Sequence, residues 1–479
     1  MASAGRPRAA LCAGLLTLCL TVGLTACSST PPTPHPSSSS TTTSASNAFE
    51  QQRRDGVNAL LGKLRDALQS GNGAALDALI DPLATPAFRA SLHIAQKNLT
   101  QKNPTQKTAS TAPAPAGRGG PLVLRTLAFQ VGSEQVSERL IGGALAVKLS
   151  DAGSSDSWVT PVNVQYALGG QSTPGVDEPD VTLSETMAFS RYDDAWKLLG
   201  DGSLAGDTSD PNEPQRPPEV PPWTYDGLRA AQVDSAGGRS AVLSYPDTDT
   251  TVGYIRRQLA PGIEAVSDFW GKDWPQTAVV VVTGDEDQFA GLTRTAEGDT
   301  EAAAAATVFS TINRSTQTVV GQRVVFSPAA AQLSEAGIAV VLRHELFHAA
   351  SRLITADKTP KWLTEGVAEY VGRRGTKPDF NDVAPDLAVQ VASGEKTTLP
   401  KDKDFSVDTD QARLAYQTAW SFAAYIAGKY GDPKLRAMYA AAAPTVTDDT
   451  TKAAVKSSLG VDYDTLIRDW QAWLSRQVR

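Results

Sequence analysis

Between Val340 and Ala350 the chain is apolar except for Arg343, His344, Glu345 and His348, and this combination constrains it more than any other feature. A helix that is apolar nearly all round is a buried one. A buried helix must give its polar side chains partners. Residues four apart share one helix face, so the imidazoles of His344 and His348 reach a common point. A metal ion at that point satisfies both. The segment reads H-E-x-x-H, the arrangement in which two neutral imidazoles hold zinc and the glutamate serves as general base toward a water. One zinc per chain is expected, with a water made acidic enough to yield a nucleophile near neutral pH.

The rest of the ligand set is narrowed by what the chain lacks. Its three cysteines, Cys12, Cys19 and Cys27, all precede residue 28, so the body has neither a disulfide framework nor a thiolate site. Its four histidines are His35, His93, His344 and His348. Ile354 stands where the H-E-x-x-H-x-x-G-x-x-H pattern needs a third histidine. A carboxylate must complete the site, and Asp357 and Glu365 are the acids at hand.

Sixteen residues separate His348 from Glu365, within Trp362-Leu363-Thr364-Glu365-Gly366. This segment resembles the W-L-x-E-G stretch of the gluzincin metallopeptidases. The resemblance implies that Glu365 is the third zinc ligand. It also implies that Glu369, one helical turn on, orients His344 from behind. The spacing is slightly shorter than the usual gluzincin gap. A second match begins at Ala415-Tyr416-Gln417-Thr418, which is similar to the gluzincin aminopeptidase helix whose tyrosine steadies an oxyanion. Tyr416 would carry that role; as one aromatic among many it is otherwise a core residue. No G-x-M-E-N segment is present, which argues against recognition of a free N-terminus. The resemblance covers roughly residues 223–478 and implies a peptidase acting on peptides or proteins. The substrate would lie along an edge strand, placed at Arg323–Phe326.

The N-terminus directs the chain outward. Arg6 and Arg8 precede an apolar run of about 15 residues, short for a spanning helix. Leu24-Thr25-Ala26-Cys27 resembles the bacterial lipobox, which implies lipidation of Cys27, with residues 1–26 as signal peptide. Residues 27–47, almost all Ser, Thr and Pro after the cysteine, form a solvated tether. The expected location is the extracytoplasmic face of the cell membrane, anchored by the N-terminal lipid. The formal net charge of −8 argues against nucleic acid as a partner.

The body divides by pattern into residues 48–202 and 223–479, with the Pro-rich segment 203–222 as linker. The first part begins with a helix carrying Val57, Leu60, Leu61, Leu64 and Leu68 at helical spacing, and a second short helix at Gly73–Ile80. Strands are expected at Leu122–Val131, Arg139–Ser150, Ser157–Leu168, Val181–Ser190 and Trp196–Leu199. This order is similar to the nuclear-transport-factor-2-like superfamily, and the part is expected to be accessory. The second part alternates strands and helices up to Phe326 and is helical from Leu333. The fold class is therefore α+β. A second reading is a surface lipoprotein that binds zinc but serves mainly as a binding or scaffolding module.

Overall fold

The computed structural model describes residues 48–100, 122–132, 141–169, 176–204, 219–294, 304–376, 379–405, 410–444 and 447–478. The signal peptide, Cys27, His35, the tether and most of the 203–222 linker lie outside the described residues.

The first half opens with three helices, α1 (Ala48–Ser70), α2 (Gly73–Asp77) and α3 (Pro86–Leu99). A four-stranded antiparallel meander follows: β1 (Leu124–Val131), then helix α4 (Gly143–Asp151), β2 (Asp156–Leu168), β3 (Val181–Tyr192) and β4 (Ala195–Asp201). Helix α4 corrects the strand expected at Arg139–Ser150. Leu145 and Leu149 fall four residues apart and pack with Ile141 against Val159, Ala188 and Leu199 on one face of the sheet. Helical spacing thus outweighs the β-branched content there. Helix α3 was not expected, although Thr85 caps it and Pro86 opens it, a readable start signal.

The second half contains β5 (Arg229–Ser235), β6 (Gly238–Ser244), α5 (Asp249–Trp270), β7 (Val279–Val282), α6 (Glu286–Thr293), β8 (Ala305–Val308), the hairpin β9 (Thr311–Asn313) and β10 (Thr318–Val320), and β11 (Arg323–Phe326). Eight helices follow: α7 (Glu335–Ser351), α8 (Lys361–Arg373), α9 (Phe380–Val383), α10 (Pro385–Ala392), α11 (Asp410–Tyr430), α12 (Asp432–Ala442), α13 (Asp448–Leu459) and α14 (Tyr463–Gln477). The five-stranded sheet runs β5-β6-β7-β11-β8, with β8 antiparallel at one edge. Strand β11, expected to be the free edge, instead lies between β7 and β8, and its backbone pairs with both. The edge is β8.

Strands β7 and β11 show why the two halves belong to one compact unit, Ala48–Arg479. Val280, Val282, Val324 and Phe326 face the helical half. Val279, Val281 and Val325 face the other way, into a core built with Val57, Leu61, Val164, Leu183 and Phe189 of the first half. A four-valine strand buried on both faces needs a cover on each. Polar ties reinforce the contact. Buried Asn98 donates to the carbonyls of Trp223 and Tyr225 at 3.0 and 2.7 Å. Arg323 of β11 forms a bidentate pair with Asp177 at 2.7 and 2.8 Å, both side chains buried.

Replacing Asp177 by Ala strands that guanidinium in the core. The expected cost is about 3 kcal/mol of unfolding free energy, read as a lower urea midpoint at unchanged slope. An unchanged midpoint would show that the pair does not hold the halves together.

Candidate metal centre

Helix α7 starts at Ser334, whose side chain accepts from Gly337 N, and Arg257 grips Glu335 of its first turn at 3.0 and 2.8 Å. Ile338, Leu342, Leu346 and Phe347 sink into the core, which turns His344 and His348 toward α8. Helix α8 has its first amide, Lys361 N, bound by Asp402 at 2.8 Å. It lies very close to both neighbours, and two glycines permit this. A Cβ on Gly366 would stand 2.6 Å from the Ala419 carbonyl of α11, and one on Gly372 would stand 2.8 Å from the Val340 carbonyl of α7. Glu365 and Tyr416 are drawn toward the histidines by this close packing.

The result is a triangle of donor atoms. His344 Nε2 and His348 Nε2 are 3.1 Å apart, and Glu365 Oε2 lies 3.3 and 3.4 Å from them. A tetrahedral zinc with bonds of about 2.0–2.1 Å spaces its ligands about 3.3 Å apart, so these residues fit that ion. The nitrogen-rich set favours zinc over magnesium or calcium. The three side chains are 12, 13 and 17% exposed, sheltered but open on one side. Among the described residues this is the group that could hold a metal, and Asp357 is not part of it.

Behind the triangle, His344 Nδ1 is 3.2 Å from Glu369 Oε2, and Arg373 donates to Glu369 Oε1 at 2.7 Å. Burial alone would raise the Glu369 carboxyl, but His344 and Arg373 override it and bring it to about 2. Burial likewise opposes charge on His344 and on Glu365. Their mutual contacts win, holding His344 well above its ordinary value and Glu365 well below. Without metal, then, the cluster keeps its carboxylates charged and a proton on His344.

Glu345 sits under the edge strand. Thr307 Oγ1 of β8 donates to Glu345 Oε2 at 2.7 Å and lies 3.0 Å from its carbonyl oxygen. Tyr416, in α11, stacks edge-on against Phe405 with centroids 5.2 Å apart. Burial pushes its hydroxyl above the usual range, and Glu365, Glu345 and Glu369 push it the same way, so it stays a donor. The structure thus gathers His344, Glu345, His348, Glu365, Glu369 and Tyr416. His93 lies in the first half, paired with Asp77 at 3.0 Å. Sequence reading missed Thr307, which no local pattern marks. It also missed Arg373, although its place four residues after Glu369 was a usable signal.

Residues 291–476 match the Peptidase MA superfamily. No curated protein matches the chain. Among solved structures, a mutant of the M1 zinc metallopeptidase from Deinococcus radiodurans is 15% identical, covering 67% of this chain and 61% of its own, with a TM-score of 0.34. Yeast LTA4 hydrolase in complex with bestatin is 15% identical, covering 52% of this chain and 39% of its own, with a TM-score of 0.33. A two-domain M1 zinc metallopeptidase mutant bound to L-arginine is 14% identical, covering 74% and 91%, with a TM-score of 0.33. This chain spans less than two thirds of the length of the first two.

Proposed function

We propose that this chain, which over residues 291–476 falls in the Peptidase MA superfamily, is a zinc-dependent peptidase held by a lipid on Cys27 at the outer face of the cell membrane. The observation that carries the catalytic part is the donor triangle of His344, His348 and Glu365 with Glu345 beside it. The leader and lipobox-like sequence carry the anchoring part.

Bound by these three residues, zinc would supply Lewis acidity toward a peptide carbonyl and a water. The chain's own groups do the rest. Thr307 occupies Oε2 of Glu345 and holds the carboxylate in one orientation. Glu345 then takes a proton from the attacking water and returns it to the leaving amine. Glu369, braced by Arg373, fixes the ring of His344. Tyr416 donates its hydroxyl to the developing oxyanion. Among the described residues β8 has no strand on its outer side, and that edge offers backbone groups to an extended peptide running past Glu345.

The test is to isolate the full chain from membranes, measure its zinc and challenge it with mixed peptides. One zinc per chain and new peptide termini support the reading. Zinc without cleavage of any peptide, or a chain that never enters the membrane fraction, overturns the catalytic or the anchoring half respectively. Tyr416→Phe removes one hydroxyl from the site. It is expected to lower kcat by about 10²-fold with little change in KM; an unchanged kcat would return Tyr416 to a packing role.

A further inference from the structure

Arg352, the residue that caps the C-terminus of α7 in a still helical conformation, continues the row of His344 and His348. It lies four residues beyond His348 on the same face, about 6 Å further along the axis, which is about two residues of an extended peptide. Its guanidinium stacks on Phe309, 4.9 Å from the ring centroid, and Phe309 directly follows edge strand β8. The other arginines around the site have acceptors: Arg373 has Glu369, Arg374 has Asp432, and Arg314 has the Leu353 carbonyl. Arg352 has none among the described residues. Its Nε is shut off from solvent and makes no hydrogen bond, while the residue as a whole is only partly buried. Burial lowers its pKa, against the fields of Tyr439, Asp357 and Glu365. A half-buried guanidinium stacked beside the edge strand, with no acceptor within hydrogen-bond reach among the described residues, is an unfilled recognition group.

We propose that Arg352 sets substrate preference by receiving a carboxylate of the peptide within about two residues of the cleaved bond. This rests on the peptidase reading above. The guanidinium fork matches a carboxylate through two parallel hydrogen bonds, and stacking on Phe309 fixes the plane of the fork. In a peptide that anion is an Asp or Glu side chain or the C-terminal carboxylate.

The test compares zinc-loaded full chain, Arg352→Gln and Arg352→Glu on one peptide library, supplied with free and with amidated C-termini, and maps cleavage sites by mass spectrometry. The native chain is expected to favour a carboxylate at one position by about tenfold or more. Arg352→Gln abolishes that enrichment. Arg352→Glu replaces it with Lys or Arg, a reversal that loss of packing cannot produce. Enrichment that survives amidation identifies a side chain; enrichment that amidation removes identifies the terminal carboxylate. Equal zinc content in all three chains controls for folding. Cleavage without acidic enrichment, or enrichment unchanged in Arg352→Gln, overturns this inference alone. No cleavage by the zinc-loaded native chain overturns the peptidase reading and this inference with it.

Discussion

Glu345→Gln is expected to keep one zinc per chain while peptide hydrolysis falls by about 10²–10⁴-fold. The side chain keeps its length and an oxygen that can still accept from Thr307, 2.7 Å away in the native chain. The donor triangle of His344, His348 and Glu365 is untouched. What disappears is a carboxylate able to take a proton from water and hand it to the leaving amine. A loss of this size equals roughly 3–5 kcal/mol of barrier. Zinc by elemental analysis and turnover on a cleaved peptide separate the two effects. A variant with nearly native turnover would remove Glu345 from the proton path, and one that loses zinc would show that Glu345 supports the site instead.

His348→Ala is expected to purify without zinc, because two remaining donors leave the ion with half of a tetrahedral shell. Glu369→Ala should retain zinc but bind it about 10–100-fold more weakly, since it frees the ring of His344 and leaves all three ligands in place. Competition with a chelator of known affinity measures both. Affinity in the native chain also depends on pH with a definite sign. In the metal-free chain His344 holds its proton well above the ordinary histidine range, because Glu365 and Glu369 outweigh burial. Zinc must displace that proton, so binding releases protons and weakens as the pH falls. Equal affinity for Glu369→Ala and the native chain would reduce the Glu369 contact to helix packing.

Much of the centre was legible because its parts sit close together in the chain. A four-residue spacing on one helix face joins His344 to His348, and the same spacing joins Glu365 to Glu369. Each is a local consequence of helix geometry. Tyr416 was legible only by resemblance, since nothing in its own neighbourhood brings α11 to α8. The contact depends on Gly366 letting the backbones approach. Thr307 and Arg352 were not legible. One comes from a strand nearly forty residues before its partner, and the other acquires meaning only from the acceptor it lacks.

The sequence carried the candidate ligands and the helices that display them. With no cysteine after Cys27 and no histidine after His348, the ligand choice was reduced to two imidazoles and a carboxylate. The tertiary structure places Glu365, the acid named by resemblance, against the two histidines and leaves Asp357 out, and it alone decided which strand lies at the open edge. It also decided that the first half shares a core with the sheet of the half that carries the candidate metal centre. Helix periodicity is a property of neighbouring residues, whereas strand order and shared cores arise from contacts between distant segments. The valines of β7 announce burial on both faces, but only the fold shows that the second core draws on Val57, Val164 and Leu183 of the first half as well as Phe289 of α6.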